Sequence, residues 1–145
     1  MADYVAKALW HTSPLNSSLV EEKIYPENVA NILVKSEYSF ISSGTESLVC
    51  RGLIPLDLKE VMKVNYMKGD FGFPIKYGYS LVGITNEGKR VHLMHPHQDL
   101  IYAQEEDLYV LPDEMPLKRA TLLSNMETTL NSIWDAQLKG SERIL

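Results

Sequence analysis

The 145-residue chain has a single cysteine, Cys50, which excludes an internal disulfide and a cysteine-rich zinc site. Long apolar runs are missing, so no segment reads as a bilayer-spanning helix. The start, Met1-Ala2-Asp3-Tyr4, lacks the basic-then-apolar order of a signal peptide. Basic clusters are missing too. The formal charge is −5 and basic runs stop at pairs such as Lys89-Arg90, which argues against a nucleic-acid surface. No G-x-G-x-x-G phosphate loop occurs in the chain. These absences leave a cytoplasmic protein with no nucleic-acid and no membrane partner as the expectation. What is there is a globular balance, 45% apolar and 23% charged, in a chain long enough to bury one core.

Residues 3–10 and 18–24 read as strands flanking the turn-rich Thr12-Ser13-Pro14-Leu15-Asn16-Ser17. From Asn31 to Ile41 the pattern alternates, with Ile32, Val34, Tyr38 and Phe40 on one face, which predicts a half-buried strand. Ser42-Ser43-Gly44-Thr45 breaks it, and residues 46–52 predict a short helix closed by Gly52. Residues 53–73 are ambiguous, with a helix possible over 56–66. Strands return at 79–85 and 90–94 around the hairpin signal Asn86-Glu87-Gly88-Lys89, then at 100–103 and 108–111. After Pro116, the spacing of Leu122, Met126, Leu130 and Ile133 or Trp134 predicts a helix ending near Gly140. Trp10 and Trp134 are expected in packing roles. Glu142-Arg143-Ile144-Leu145 reads as the opening of a strand, as if the chain were cut short. Many short strands at close spacing favour a barrel or sandwich.

Four segments, in order, resemble the N-terminal part of medium-chain dehydrogenases/reductases. Phe40-Ile41-Ser42-Ser43-Gly44-Thr45-Glu46 with Cys50-Arg51-Gly52 resembles the turn that carries the first catalytic zinc ligand in the alcohol dehydrogenases of that family. Phe73-Pro74-Ile75-Lys76-Tyr77-Gly78-Tyr79-Ser80-Leu81-Val82-Gly83 resembles the following P-x-x-x-G-H-E-x-x-G segment. Glu87-Gly88-Lys89-Arg90-Val91 is similar to the G-D-R-V turn, and Leu111-Pro112-Asp113-Glu114 with Arg119-Ala120-Thr121-Leu122-Leu123 to the L-P-D…A-A-x-L segment. Ser-Gly-Thr-Glu, His-Pro-His and Asn-Met-Glu-Thr are similar to a zinc-ligand-free branch related to bacteriochlorophyllide dehydrogenases.

The resemblance implies a mainly β fold with helices: a GroES-like, partly open β-barrel with a C-terminal helical segment leading toward a Rossmann domain that this chain does not contain. It places the substrate-side domain at residues 1–125 and a connecting helix with the start of the nucleotide-binding domain at 126–145. It implies a zinc-independent, alcohol dehydrogenase-like oxidoreductase, using NAD or NADP in the full-length protein, with no cofactor expected on this chain alone. The implied partners are a small-molecule substrate and the missing Rossmann domain, and an oligomer of the fragment is not expected. Ser43 stands where the first ligand cysteine would be, Tyr79 at the histidine, Ser80 at the neighbouring glutamate and Asn125 at or beside the third ligand. Hydroxyls and an amide do not hold Zn²⁺ at useful affinity. Thr45 matches the proton-relaying hydroxyl, and Tyr79 is a candidate general acid if its pKa is lowered or it joins a relay.

Glu46 and Glu127 are candidates to orient these groups, and His95 and His97 to line the substrate pocket. A metal held by His92, His95 and His97 is the less favoured reading of that cluster, because Pro96 is expected to end the strand. Each candidate has a plain structural reading beside it. Thr45 caps a helix, Tyr79 fills a core, and Glu46 satisfies a helix dipole. The rival functional reading is a standalone GroES-like binding or scaffold module without chemistry.

Overall fold

A computed structural model describes residues 4–27, 31–138 and 140. Its strands are β1 (Tyr4–Ser13), β2 (Asn16–Ile24), β3 (Ile32–Ser39), β4 (Lys68–Gly69), β5 (Ile75–Lys76), β6 (Leu81–Thr85), β7 (Arg90–Leu93), β8 (Leu100–Ala103) and β9 (Tyr109–Val110). The α-helices are α1 (Thr45–Arg51), α2 (Leu117–Ala120) and α3 (Leu123–Asp135). One sheet runs β2-β1-β5-β4 and the other β8-β3-β6-β7-β9, with every pairing antiparallel. Among the described residues the two sheets do not close into a single barrel. This is the expected mainly β, partly open architecture with helices.

Pattern and packing agree in the five-stranded sheet. Val34, Leu81, Val91, Leu93, Ile101 and Ala103 form its buried face. A second cluster, Val49, Ile54, Phe71, Ile75 and Tyr77, lies under α1. A third, Val82, Leu111 and Ala120, seats α2. The short segment 97–99 ties the sheets together. The Leu9 N–H donates to the His97 carbonyl at 2.9 Å, Asp99 N–H to Lys7 at 3.1 Å, and Ser36 N–H to Asp99 at 2.8 Å. β1 and β3 belong to different sheets, so three consecutive residues hold both.

Several sequence expectations need correction, and the segment left open at 56–66 is decided. The alternation of β3 predicts Tyr38 on the buried face, yet it is exposed. A register shift between Ser36 and Tyr38 against β6 inserts the extra residue that turns it outward. Residues 56–66 are not a helix: a 3-10 turn covers Leu56–Leu58 only. Leu56 and Val61 face solvent, while Met62, Val64 and Met67 pack, a spacing with no helical period. The helix expected after Pro116 is two helices. The Ser80 hydroxyl takes the Thr121 carbonyl, and the Thr121 hydroxyl takes that of Lys118, at the break between them.

The 125/126 boundary falls inside α3, and α3 stops at Asp135, before Gly140. Its apolar positions Met126, Leu130, Ile133 and Trp134 face outward. Trp134, expected in packing, is 64% exposed among the described residues. The strand expected at Glu142–Leu145 lies outside those residues.

Gly83 sits where β6 crosses β3. A Cβ there would lie 2.4 Å from the Lys35 carbonyl oxygen and 2.7 Å from a Val34 methyl. Because the first of these is backbone, the clash has no side-chain escape. Gly83→Ala is expected to destabilise the chain by about 1–3 kcal/mol, checked by urea unfolding against the unsubstituted chain.

Candidate active site

The turn into α1 is held from within the protein. Gly44 is the N-cap and no side chain caps the helix, so Thr45 does not serve as the cap that its position suggests. Thr45 is half-buried, and its hydroxyl makes no hydrogen bond among the described residues. Ser43 is exposed. Glu46 lies in the first turn, where a carboxylate suits the helix dipole, but it is only 2% exposed. One of its oxygens accepts the Ser42 N–H at 2.9 Å, and the other accepts the His97 Nε2–H at 2.6 Å. The dipole therefore describes only part of its role. A carboxylate this deep needs partners for both oxygens, and it has them.

Tyr79 lies two residues before β6. Its ring packs edge-on against Tyr77 at 6.3 Å and joins the cluster under α1. Its hydroxyl has no hydrogen-bond partner among the described residues. Neighbouring Tyr77 differs: its hydroxyl donates to the Met62 carbonyl at 2.8 Å. Burial, then the nearby Tyr79 and Glu46, push that phenol up to about 12. Ser80 is fully buried and structural, donating to Thr121 and lying 3.5 Å from His92 Nε2. The Ser124 hydroxyl at the start of α3 donates to the Tyr79 carbonyl at 3.1 Å, which brings Asn125 to the same region. Asn125 Oδ1 is buried with no partner among the described residues. Glu127 points to solvent on α3 and joins nothing in the site.

His95 and His97 do not share a face. β7 ends at Leu93, and beyond it the two imidazoles diverge. His95 Nδ1–H donates to the Pro96 carbonyl at 2.7 Å, and its ring stacks 4.9 Å from Tyr66 beside a cavity of about 420 Å³. His97 turns to Glu46 and borders an open groove of about 580 Å³ formed with Leu9, Leu19, Tyr38 and Ile41. The structure thus brings Glu46 and His97 together, and Tyr79 to the start of α3. It leaves His95 in a different pocket and Glu127 outside.

Two polar groups carry no signal in the sequence. His11 is buried on β1, with Nδ1 2.7 Å from the Ser17 hydroxyl and Nε2 unpartnered among the described residues. Burial pushes its imidazole below the ordinary value, opposed by Glu46 and reinforced by His97. Lys76, side chain 3% exposed, pairs with Glu22 at 2.9 Å and donates to Gln98 Oε1 at 2.7 Å. Glu22 lies in β2 and also accepts from Trp10 and Lys68. Burial would raise the Glu22 carboxyl, but these donors bring it below its ordinary value.

No family model matches the chain, and no curated protein matches it significantly. Solved structures do. A quinone oxidoreductase from Thermus thermophilus, also determined in complex with NADPH, superposes with a TM-score of 0.70 at 15% identity. The match covers 92% of this chain and 42% of that one. A structure assigned as an NADPH:quinone reductase from Bacillus thuringiensis gives 0.62 at 16% identity, over 92% of this chain and 41% of that one. The fold is shared with those proteins, and the chain spans about two fifths of their length.

Two histidines make acid sensitivity a property of this region. Burial pulls both His92 and His95 from 6.5 down to about 4. Between those values the unfolded chain binds protons that the folded chain refuses, so stability is full above about pH 6.5 and falls toward pH 4. Urea midpoints are expected to drop between pH 7.5 and 4.5, and His95→Gln is expected to flatten part of that drop. A pH-independent midpoint would contradict the buried neutral state.

Proposed function

We propose that the chain is the substrate-side part of a zinc-independent, NAD(P)-dependent oxidoreductase of the medium-chain dehydrogenase/reductase superfamily, reducing a quinone or another carbonyl compound. The observation that carries the reading is a fold shared with quinone oxidoreductases over nearly the whole chain, with unpaired Thr45 and Tyr79 hydroxyls at the segments that the motifs single out. The exposed apolar stripe of α3 supports a covering Rossmann domain in the parent protein.

The residues at the family's zinc positions do not fit that metal. Ser43, Tyr79 and Asn125 offer hydroxyls and an amide in place of thiolates and an imidazole. Among the described residues, no group of three His, Cys, Asp or Glu side chains is arranged to hold a metal ion. Without a Lewis acid, the developing negative charge on a substrate oxygen needs hydrogen-bond donors.

Tyr79 is suited to that work because its ring is fixed by packing while its hydroxyl stays free to donate. Thr45, on the first turn of α1, is the second donor and passes the proton onward. A nicotinamide bound by the parent protein would supply the hydride. Ser43 and Asn125 line the vacated metal pocket in this reading.

The test uses the longest reading frame that contains this chain. NADH and NADPH binding are followed by fluorescence, and turnover with 1,4-benzoquinone and a panel of short aldehydes. Tyr79→Phe and Thr45→Val are each expected to lower kcat by about 100-fold or more. A parent protein that binds neither dinucleotide would overturn the reading in favour of a binding module, and an unaltered Tyr79→Phe variant would remove Tyr79 from the chemistry.

A further inference from the structure

We infer that the Glu46–His97 pair is a positioning device that sets the Ser42–Thr45 turn and the Gly78–Tyr79 segment in one fixed relation. The inference rests on the reading above for what the Thr45 and Tyr79 hydroxyls do. It rests on the structure alone for how they are held. Glu46 and His97 are 51 residues apart in sequence and bonded at 2.6 Å in the interior.

The pair faces the turn on one side. Glu46 Oε1 accepts the Ser42 N–H at 2.9 Å, closing the loop from Ser42 to Glu46 around Ser43, Gly44 and Thr45. The carboxylate thus takes a backbone donor just outside α1 that no other group among the described residues satisfies.

On the other side the pair meets the segment that carries Tyr79. The His97 ring lies in a hollow that exists because residue 78 is glycine. A Cβ at Gly78 would fall 2.9 Å from His97 Nε2, 3.0 Å from Cδ2 and 3.2 Å from Cε1, and its φ of +145° is one that side chains rarely adopt. The backbone immediately before Tyr79 is therefore seated against the imidazole. His97 is itself anchored through its backbone, because its main-chain carbonyl accepts the Leu9 N–H at 2.9 Å across to β1. Two segments distant in sequence meet one hydrogen-bonded pair, whose backbone is bonded to the sheet. Neither residue touches substrate in this scheme; both act through Thr45 and Tyr79.

The experiment begins with the unsubstituted 145-residue chain. NMR is expected to show a His97 Nε2–H signal, shifted downfield and slow to exchange, as a short bond to a buried carboxylate requires. In Glu46→Ala that signal is expected to vanish, and the Ser42 amide to exchange about tenfold faster or more, the effect of one lost hydrogen bond. Glu46→Gln keeps a side-chain oxygen for Ser42 and an amide that meets the imidazole in its other tautomer, so it is expected to restore most of the Ser42 protection. Should Glu46→Ala not fold, His97→Ala removes the pair from the other side and is read by the same amides, with Tyr79 added.

A missing imidazole signal in the unsubstituted chain would overturn the inference, as would unchanged exchange at Ser42 and Tyr79 in a folded variant. In the parent protein, Glu46→Ala is expected to lower kcat with KM changed less than about twofold. Absence of any turnover there counts against the oxidoreductase reading and not against the pair, since the NMR signals do not depend on turnover.

Discussion

The fold depends on the backbone of His97, Gln98 and Asp99. This segment is not a strand of either sheet, yet it bonds to β1 through Leu9 and Lys7 and to β3 through Ser36. An isolated bridge between Ala8 and Gln98 and the Lys7 N–H bond to the Asp99 carboxylate at 2.7 Å complete the joint. Two antiparallel sheets that do not close need such a seam, because each leaves edges and one apolar face to be covered. The seam also explains why the side chains of these residues are polar in a buried place. With the backbone committed to holding sheets together, His97 and Gln98 project into the interior and must each find a charged or polar partner. They find Glu46 and Lys76.

Two polar networks therefore leave adjacent residues in different directions. Through Gln98 the path runs to Lys76, Glu22, Trp10 and Lys68. That set mixes a buried amine with partly exposed neighbours, and its effect is to fix β5 against the β1–β2 hairpin. Through His97 the path runs to Glu46 and the Ser42 amide, with His11 close enough to feel both. The first network stabilises the frame and the second orients the turn. Both partners of His97 and Gln98 come from elements that follow β3, so the seam is where late and early parts of the chain are brought into register.

What the sequence makes legible is what is decided locally. The hairpin at Asn86–Lys89 forms because Gly88 accepts a positive φ and the Thr85 hydroxyl takes the amides of Glu87 and Lys89, all within five residues. The stop of α1 at Gly52, with φ of 68°, is legible for the same reason. The bulge that turns Tyr38 outward is not, because it arises from the partner strand. The exposure of Trp134 is not either, since α3 has the spacing of a packed helix while its apolar face stays exposed among the described residues. For the candidate site, motif position names Thr45 and Tyr79 as candidates and says nothing of what holds them. The Glu46–His97 and Lys76–Glu22 bonds join residues 51 and 54 positions apart, and no period or spacing reports a pairing of that range.

Unpaired polar atoms are spread unevenly over the described residues. Most buried polar side chains here are satisfied: Ser80, Glu46, Lys76 and Gln98 each have a partner. The Thr45 and Tyr79 hydroxyls are unpaired yet only half-buried, so leaving them free costs little while water can reach them. Asn125 Oδ1 is unpaired and buried, which costs about 1–3 kcal/mol unless something donates to it. Three buried imidazole nitrogens among the described residues share that state, His11 Nε2, His92 Nδ1 and His97 Nδ1, whereas the Ser124 hydroxyl beside Asn125 is paired. The same uneven satisfaction is absent from the Lys76 network, whose groups already answer one another.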